Sequence, residues 1–412
     1  MHTELHSDLI NNPKAQDAKS IIEACVHCGF CTATCPTYQH FNDERDGPRG
    51  RIYLIKQLLE TNEVTEKTQT HLDRCLTCRS CETTCPSGVQ YGRLVDIGKG
   101  MVEEKVSRST FDNLSRWLLR KLLPYPKRFG LFLAMGQLFK PVMVGPLKAI
   151  GAKVPAKQKH MPWPSNSHPR RMLALAGCAQ SVATPNTNQS TARVLDKLGI
   201  TLVEEPQAGC CGAVDYHLGA HDDGLNAMRK NIDAWWPAVE AGVEAIVMTA
   251  SGCGVMVEEY GELFANDPDY ADKAKRISEL TKDISQILEK EDLSQLNLDP
   301  AKTASEKTAV HCPCTLQHGM KLSGNVENIL EQAGVPLTAT KDKHMCCGSA
   351  GTYSVLQPKT ATELLHKKLD ALMVDQPEQI VTSNVGCQLH LSTKSSVPVK
   401  HWIELLDQKT PS

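Results

Sequence analysis

Eight cysteines in the first hundred residues constrain this chain more than any other feature. Cys25, Cys28, Cys31 and Cys35-Pro36 spell C-x2-C-x2-C-x3-C-P, and Cys75, Cys78, Cys81 and Cys85-Pro86 spell it again. Three thiolates at three-residue intervals wrap a tight loop round three corners of a cube. The fourth, four positions on and followed by proline, is turned away and ligates the other cube. The spacing therefore predicts two [4Fe–4S] clusters, one on Cys25, Cys28, Cys31 and Cys85, the other on Cys35, Cys75, Cys78 and Cys81. Structural zinc also uses four-cysteine sites, but it does not call for this spacing twice.

Nine further cysteines bring the total to 17, an odd number in a chain of 412 residues. Such a count, much of it in C-x-x-C spacing, argues against a disulfide framework. The start, Met1-His2-Thr3-Glu4-Leu5, lacks the basic beginning and apolar middle of a secretory signal. Free thiolates without an export signal point to the cytoplasm. A formal charge of −2 excludes bulk attraction to nucleic acid or anionic lipid. The most apolar stretch, Leu131 to Val144, is broken by Lys140-Pro141 and falls short of the roughly 20 residues that a membrane span needs.

The remaining cysteines reveal a duplication. Cys178, Cys210 and Cys211 recur 136 positions later as Cys314, Cys346 and Cys347. Cys253 is answered by Cys387, and the text before each matches, Glu244-Ala245-Ile246-Val247 against Glu378-Gln379-Ile380-Val381. In each copy short apolar runs alternate with helical stretches, which predicts a parallel sheet with its loops gathered at the strand carboxyl ends. The four cysteines of each copy then meet at one edge. Equivalent cysteines in both copies suggest a further cluster or redox site on Cys178, Cys210, Cys211 and Cys253 and on Cys314, Cys346, Cys347 and Cys387. Glycine after the doubled cysteine would let the backbone approach a bulky ligand. Cys312 faces Ala176 in the other copy and reads as incidental. Of the nearby histidines His217, His221, His311, His318, His344 and His390, the last is the best candidate ligand, three residues after Cys387.

The expected architecture is α+β and multidomain. Residues 1–100 form an α-helical ferredoxin domain with two [4Fe–4S] motifs, and 101–168 a basic amphipathic linker or docking segment. Residues 169–300 and 301–412 form two duplicated α/β Cys-Cys-Gly domains. Between Ser107 and His160 there are eleven Lys or Arg against one acid, Asp112, interleaved with apolar and aromatic residues. Such a stretch lies in a membrane interface or docks on a partner subunit. The arginines Arg45, Arg49 and Arg51 read as surface or partner-facing charges, with raising of a cluster potential as the alternative.

The paired motifs and the two Cys-Cys-Gly domains together resemble the iron–sulfur subunits of membrane-associated flavin dehydrogenases. That family includes glycolate oxidase, anaerobic glycerol-3-phosphate dehydrogenase, lactate-utilisation proteins and heterodisulfide reductase. The carrying stretches are His27-Cys28-Gly29-Phe30-Cys31-Thr32-Ala33-Thr34-Cys35-Pro36-Thr37-Tyr38 and Gly47-Pro48-Arg49-Gly50-Arg51-Ile52. The resemblance implies a hetero-oligomer in which FAD-bearing partner subunits oxidise a 2-hydroxy acid, glycolate to glyoxylate foremost. This chain would pass the electrons toward a quinone, peripheral on the inner face of the cytoplasmic membrane, with no substrate-oxidising activity of its own. Lactate, glycerol 3-phosphate, or a disulfide reduced at the Cys-Cys-Gly sites are the alternatives. The resembling domain of heterodisulfide reductase ends in C-x-x-C; here Met256 and His390 take the place of the final cysteine.

Overall fold

The structure is a computed structural model that describes residues 1–140, 155, 158 and 161–408. Residues 141–154, 156–157 and 159–160 of the docking segment, four of its lysines among them, lie outside the described residues.

The first 105 residues are helical. Helix Pro48–Thr61 packs with Pro13–Glu23, Glu66–Asp73 and Tyr91–Lys105 around a core of Ile22, Ile55, Leu58, Leu59, Leu94 and Val95. Proline starts Pro36–Phe41 and Pro48–Thr61, where its missing N–H is one the first turn would leave unpaired anyway. Helix Tyr91–Lys105 runs across the expected boundary at residue 100.

Two helices follow, Thr110–Leu122 and Pro126–Phe139, packed on each other. Their amphipathicity is turned inside out. Arg108, Arg116 and Arg120 point into the protein and pair with Asp73, Glu103, Asp112, Asp215 and Asp223. Phe111, Leu114, Trp117, Leu131, Phe132 and Leu138 point out, Phe111 being 80% and Leu138 73% exposed.

The duplicated half holds two all-parallel sheets. β1 (Arg170–Ala174), β2 (Ile200–Glu204), β3 (Ile246–Met248) and β4 (Thr281–Asp283) lie in the order β2-β1-β3-β4. β5 (Thr308–His311), β6 (Gln379–Thr382) and β7 (Val399–His401) lie in the order β5-β6-β7. The second copy's counterpart of β2 has shrunk to a single bridge, Thr308 to Leu337. With that bridge counted the two sheets have the same order. The strands are short, and β3, β5 and β6 are buried along their whole length, as parallel strands covered by helices on both faces are. β4 and β7 are additions to the three strands per copy that the apolar runs suggest. Thr281-Lys282-Asp283 and Val399-Lys400-His401 are too polar to stand out as apolar runs, unlike the equally short Ile246-Val247-Met248 of β3.

The repeats are interleaved. The helix after β4, Ile284–Leu288, packs on the second repeat's helix Asn325–Gln332. The turn after β7, Trp402–Leu405, packs on the first repeat's helix Asn186–Lys197. Trp402, Ile403 and Leu406 thereby join Ala192, Leu195 and Ile200 in one core. A buried ion pair from Arg193 to Asp407, with an Nε–Oδ2 distance of 2.9 Å, locks that exchange.

Candidate iron–sulfur and thiol sites

The two cysteine loops are built alike. His27 and Thr77 have positive φ, 59° and 52°, as do Gly29 and Arg79 two residues later, at 86° and 61°. Those left-handed residues turn the loop so that the N–H of His27 donates to Cys25 Sγ and that of Thr77 to Cys75 Sγ, both at 3.4 Å. At Gly29 the close guanidinium of Arg49, 2.9 Å from where a Cβ would sit, adds a second reason for glycine.

Each loop opens on a cavity that it shares with the fourth cysteine of the other run. One brings Cys25, Cys28 and Cys31 together with Cys85, with Cys81 in the wall that it shares with the other. The other brings Cys35 together with Cys75, Cys78 and Cys81. Burial, reinforced by Cys25, pushes the Cys31 thiol up to about 11, and burial lifts Cys78 and Cys81 well above the usual thiol range. Four thiolates in either cavity need a compensating cation, so the donor sets fit a cluster.

The arginines divide three ways. Arg45 is a surface charge paired with Asp43. Arg49 lines the first cavity. Arg51 lines the second and is fully buried, which corrects the expectation of a surface charge. Its Nε donates to the His71 carbonyl at 2.7 Å, and its Nη atoms reach Thr37 Oγ1. Asp46, equally buried, lies 3.6 Å from it and takes 2.8 and 2.9 Å contacts from Arg74 and His71. This buried guanidinium shares the second cavity with Cys35 and Cys75.

Both Cys-Cys-Gly sets gather at the carboxyl ends of their strands. The thiols of Cys178, Cys210, Cys211 and Cys253 stand next to one another in that order and act on one another's ionisation. The same order runs Cys314, Cys346, Cys347, Cys387. The neighbouring thiols of Cys178 and Cys211 push Cys210 down, while Cys178 and Cys211 are themselves pushed up by Cys210 and by burial. The glycines Gly212 and Gly348 both have φ of 89°. A Cβ would stand 2.8 Å from the Gly224 carbonyl oxygen and 2.6 Å from that of Ala361. Close packing of the loop on the following helix therefore demands this glycine, which revises the reading that it serves a ligand.

The histidines are placed unevenly. His390 Nε2 lies 3.3 Å from the Ala361 carbonyl, and Met256 is buried in the core. His318 bridges Thr83 and the His344 carbonyl, at 3.0 and 3.2 Å. His221 stacks on Tyr216 and lies 3.3 Å from Lys14. His217 lies 3.0 Å from Asp96. His311 stands with Cys347 and Cys387, their ligand atoms within 4.8 Å of one another. At the 136-residue offset its place in the first repeat is held by Leu175. Lys368, buried and bonded to the carbonyls of Asp342 and Lys343, faces the second set. Burial pushes its ammonium down, and the nearby thiols of Cys347, Cys314 and Cys346 oppose that. In the first repeat Asn231 does the equivalent bonding, to Gly209 and Cys210. Cys312 is core packing, with burial pushing it up to about 12.

The second set lies against the second cysteine loop. Cys78, Cys314, Cys346, Tyr353 and Leu76 form one packed cluster, and Tyr353 donates to the Arg74 carbonyl at 3.2 Å. The first set lies beneath the helical hairpin: Arg120 pairs with Asp215, four residues past Cys211, and Pro126–Phe139 packs on Gln180–Ala183.

Residues 21–89 match the family model of the 4Fe-4S dicluster domain, and 172–258 and 308–392 each match that of the cysteine-rich domain. The chain is 54% identical over 409 residues to the glycolate oxidase iron–sulfur subunit of Escherichia coli strain K12, covering 99% of each protein. It belongs to the glycolate oxidase iron–sulfur subunit family. A probable glycolate oxidase iron–sulfur subunit of Bacillus subtilis is 29% identical and covers 89% of this chain. Lactate utilization protein A of Bacillus velezensis is 28% identical over 240 residues, 56% of this chain and 97% of that protein. A crystal structure of a hypothetical protein from Helicobacter pylori superposes with a TM-score of 0.57 at 9% identity, covering 98% of this chain and 74% of that one. That likeness concerns the fold. Membership of the family makes the chain an iron–sulfur protein of mixed helix and sheet, with one dicluster domain and two cysteine-rich domains.

Proposed function

We propose that this chain is the electron-transfer subunit of a complex that oxidises glycolate to glyoxylate. Cys25, Cys28, Cys31 and Cys85 hold one [4Fe–4S] cluster, and Cys35, Cys75, Cys78 and Cys81 hold the other. The observation that carries this reading is the exchange of fourth cysteines between the two cavities. Clusters of this kind, when bound, take and release one electron at a time, where a flavin collects two. The chain's own residues set the conditions: the N–H groups of His27 and Thr77 bond to sulfur, and the buried Arg51 favours added negative charge at the second site over the first. FAD belongs on partner subunits, so the isolated chain does not oxidise glycolate.

The electrons go on to a quinone at the membrane, against whose inner face the hairpin 110–139 rests. Support comes from its outward apolar face, with Trp117 and Tyr125 of the interfacial type and Lys127 and Arg128 exposed. No helix among the described residues is long and apolar enough to cross a membrane. Trp117→Ser with Leu138→Ser should abolish pelleting with anionic vesicles; undiminished pelleting would remove the membrane from this reading.

The deciding experiment is anaerobic purification with iron, sulfide and EPR analysis. About eight iron and eight sulfide per chain are expected, with Cys25→Ser and Cys75→Ser each removing a different reduced signal. Zinc without sulfide would refute the cluster assignment. Thiol-coupled disulfide reduction by the isolated chain, lost in Cys346→Ser, would favour the reductase alternative.

A further inference from the structure

The two cysteine-rich repeats share a fold, but their sites differ by one donor. In the second repeat a ring nitrogen of His311 and the Sγ atoms of Cys347 and Cys387 all lie within 4.8 Å of one another, and all three residues are buried. In the first repeat Leu175 stands in the place of His311, and among the described residues no trio of metal donors there converges so closely.

Spacing decides what the trio can hold. A tetrahedral zinc ion has sulfur at about 2.3 Å and nitrogen at about 2.0 Å, which puts its donors roughly 3.5–4 Å apart. A [4Fe–4S] cube keeps its thiolates farther apart, because four irons stand between them. The ferredoxin cysteines accordingly surround cavities, whereas the trio meets almost directly. It is drawn too tightly for a cube and suits one ion.

The surroundings orient the donors as a metal site requires. His311 Nδ1 lies 2.9 Å from Thr382 Oγ1, which fixes the ring and leaves its other nitrogen for a ligand. Asn384 Nδ2 donates to Cys387 Sγ at 3.4 Å. Two thiolates neutralise a divalent ion, so the loaded site carries little net charge into the interior. The mixed sulfur and imidazole set is of the type that zinc takes.

We propose that the second cysteine-rich repeat binds a single zinc ion through His311, Cys347 and Cys387, and that the first repeat binds none. The ion ties three separate elements together: the end of β5, the Cys-Cys-Gly loop and the first turn of helix Val385–Ser392. It would brace the surface on which Cys346 and Tyr353 meet the second cysteine loop. The inference stands apart from the substrate and from the ferredoxin ligands.

The test measures zinc, iron and sulfide together in the complex purified without oxygen from zinc-supplemented cells. About one zinc per chain is expected. It should fall roughly tenfold in His311→Leu and in Cys387→Ser. It should hold in Cys253→Ser, with iron and sulfide constant throughout. No zinc in the parent, or zinc unchanged by both second-repeat substitutions, would overturn the proposal. Iron and sulfide falling with Cys387→Ser would overturn it too, in favour of a cluster. Should His311→Leu fail to fold, cobalt replacement in the parent decides: thiolate-to-cobalt absorption is expected, and its absence refutes the site.

Discussion

Six positions beyond the second cysteine of each pair, His217 in the first repeat and Tyr353 in the second reach back to the helical domain. They occupy equivalent places and do different work. His217 pairs with the carboxylate of buried Asp96, which it helps to hold below the usual range against the effect of burial. Tyr353 makes a neutral bond to the Arg74 carbonyl, close to Cys78. The residues that cap the turns after the last strands diverge in the same way. Asp283 caps Ile284–Leu288, and His401 caps Trp402–Leu405, each with a capping box. Duplication preserved where contacts are made. It did not preserve the chemistry of the contact, and so one repeat could settle on the hairpin and the other on the second cysteine loop.

The largest expected effect tests whether the repeats are one cooperative unit. Arg193→Met leaves Asp407 buried beside an apolar side chain and should cost ~3–5 kcal/mol. If the interleaving is real, denaturant unfolding followed in both repeats should shift together in one transition. Two separate transitions would break the comparison at its base.

Next comes opposite pH sensitivity. Burial pushes Asp283 up to about 6 and His401 down to about 4. Burial favours the neutral form of Asp283 in the fold below about pH 6, so its stabilising share is complete below the ordinary carboxyl range and is lost as pH rises through about 6. His401 is also neutral in the fold, and its share is lost as pH falls from about 6.5 toward 4. Each effect should be on the order of 3 kcal/mol at its extreme. Asp283→Asn should therefore stabilise the protein at pH 8 and be silent at pH 4, and His401→Gln should flatten the acid limb. A pH–stability profile unchanged by either substitution would contradict this account.

The smallest effects separate the two docking contacts. His217→Ala strips a partner from a buried carboxylate and should cost about 2 kcal/mol, while Tyr353→Phe loses one neutral bond and should cost about 1 kcal/mol. The second should also alter the EPR signal that Cys75→Ser removes, and the first should not. Equal losses with no spectroscopic difference would mean the two contacts are interchangeable.

Much of the site was legible in advance. Residues three apart in a tight loop have few ways to face, so C-x2-C-x2-C-x3-C-P carries its geometry in its spacing. The first strands of both repeats were visible as short apolar runs because parallel strands are buried on both faces. Arg51 was misread, since a charged residue in a polar stretch is usually exposed. Nothing near it in sequence announces Asp46, Thr37 and the His71 carbonyl as its partners. His311 stands among the nearby histidines but ranks below His390, because a single histidine beside a strand carries no signal until Cys347 and Cys387 are brought to it.

The sequence by itself determined the local rules: which cysteines share a loop, where the repeat begins again, and which stretch is both basic and apolar. These follow from covalent spacing and from periodicity, which act over a few residues. Tertiary structure decided that the hairpin turns Arg116 and Arg120 inward, because the acids that satisfy them, Asp73 and Asp215, come from elements on either side of it. It also decided that the repeats exchange their last turns, and that His311 meets two thiols from distant loops. Such meetings depend on how whole faces pack, and the chain can state that only once it has folded.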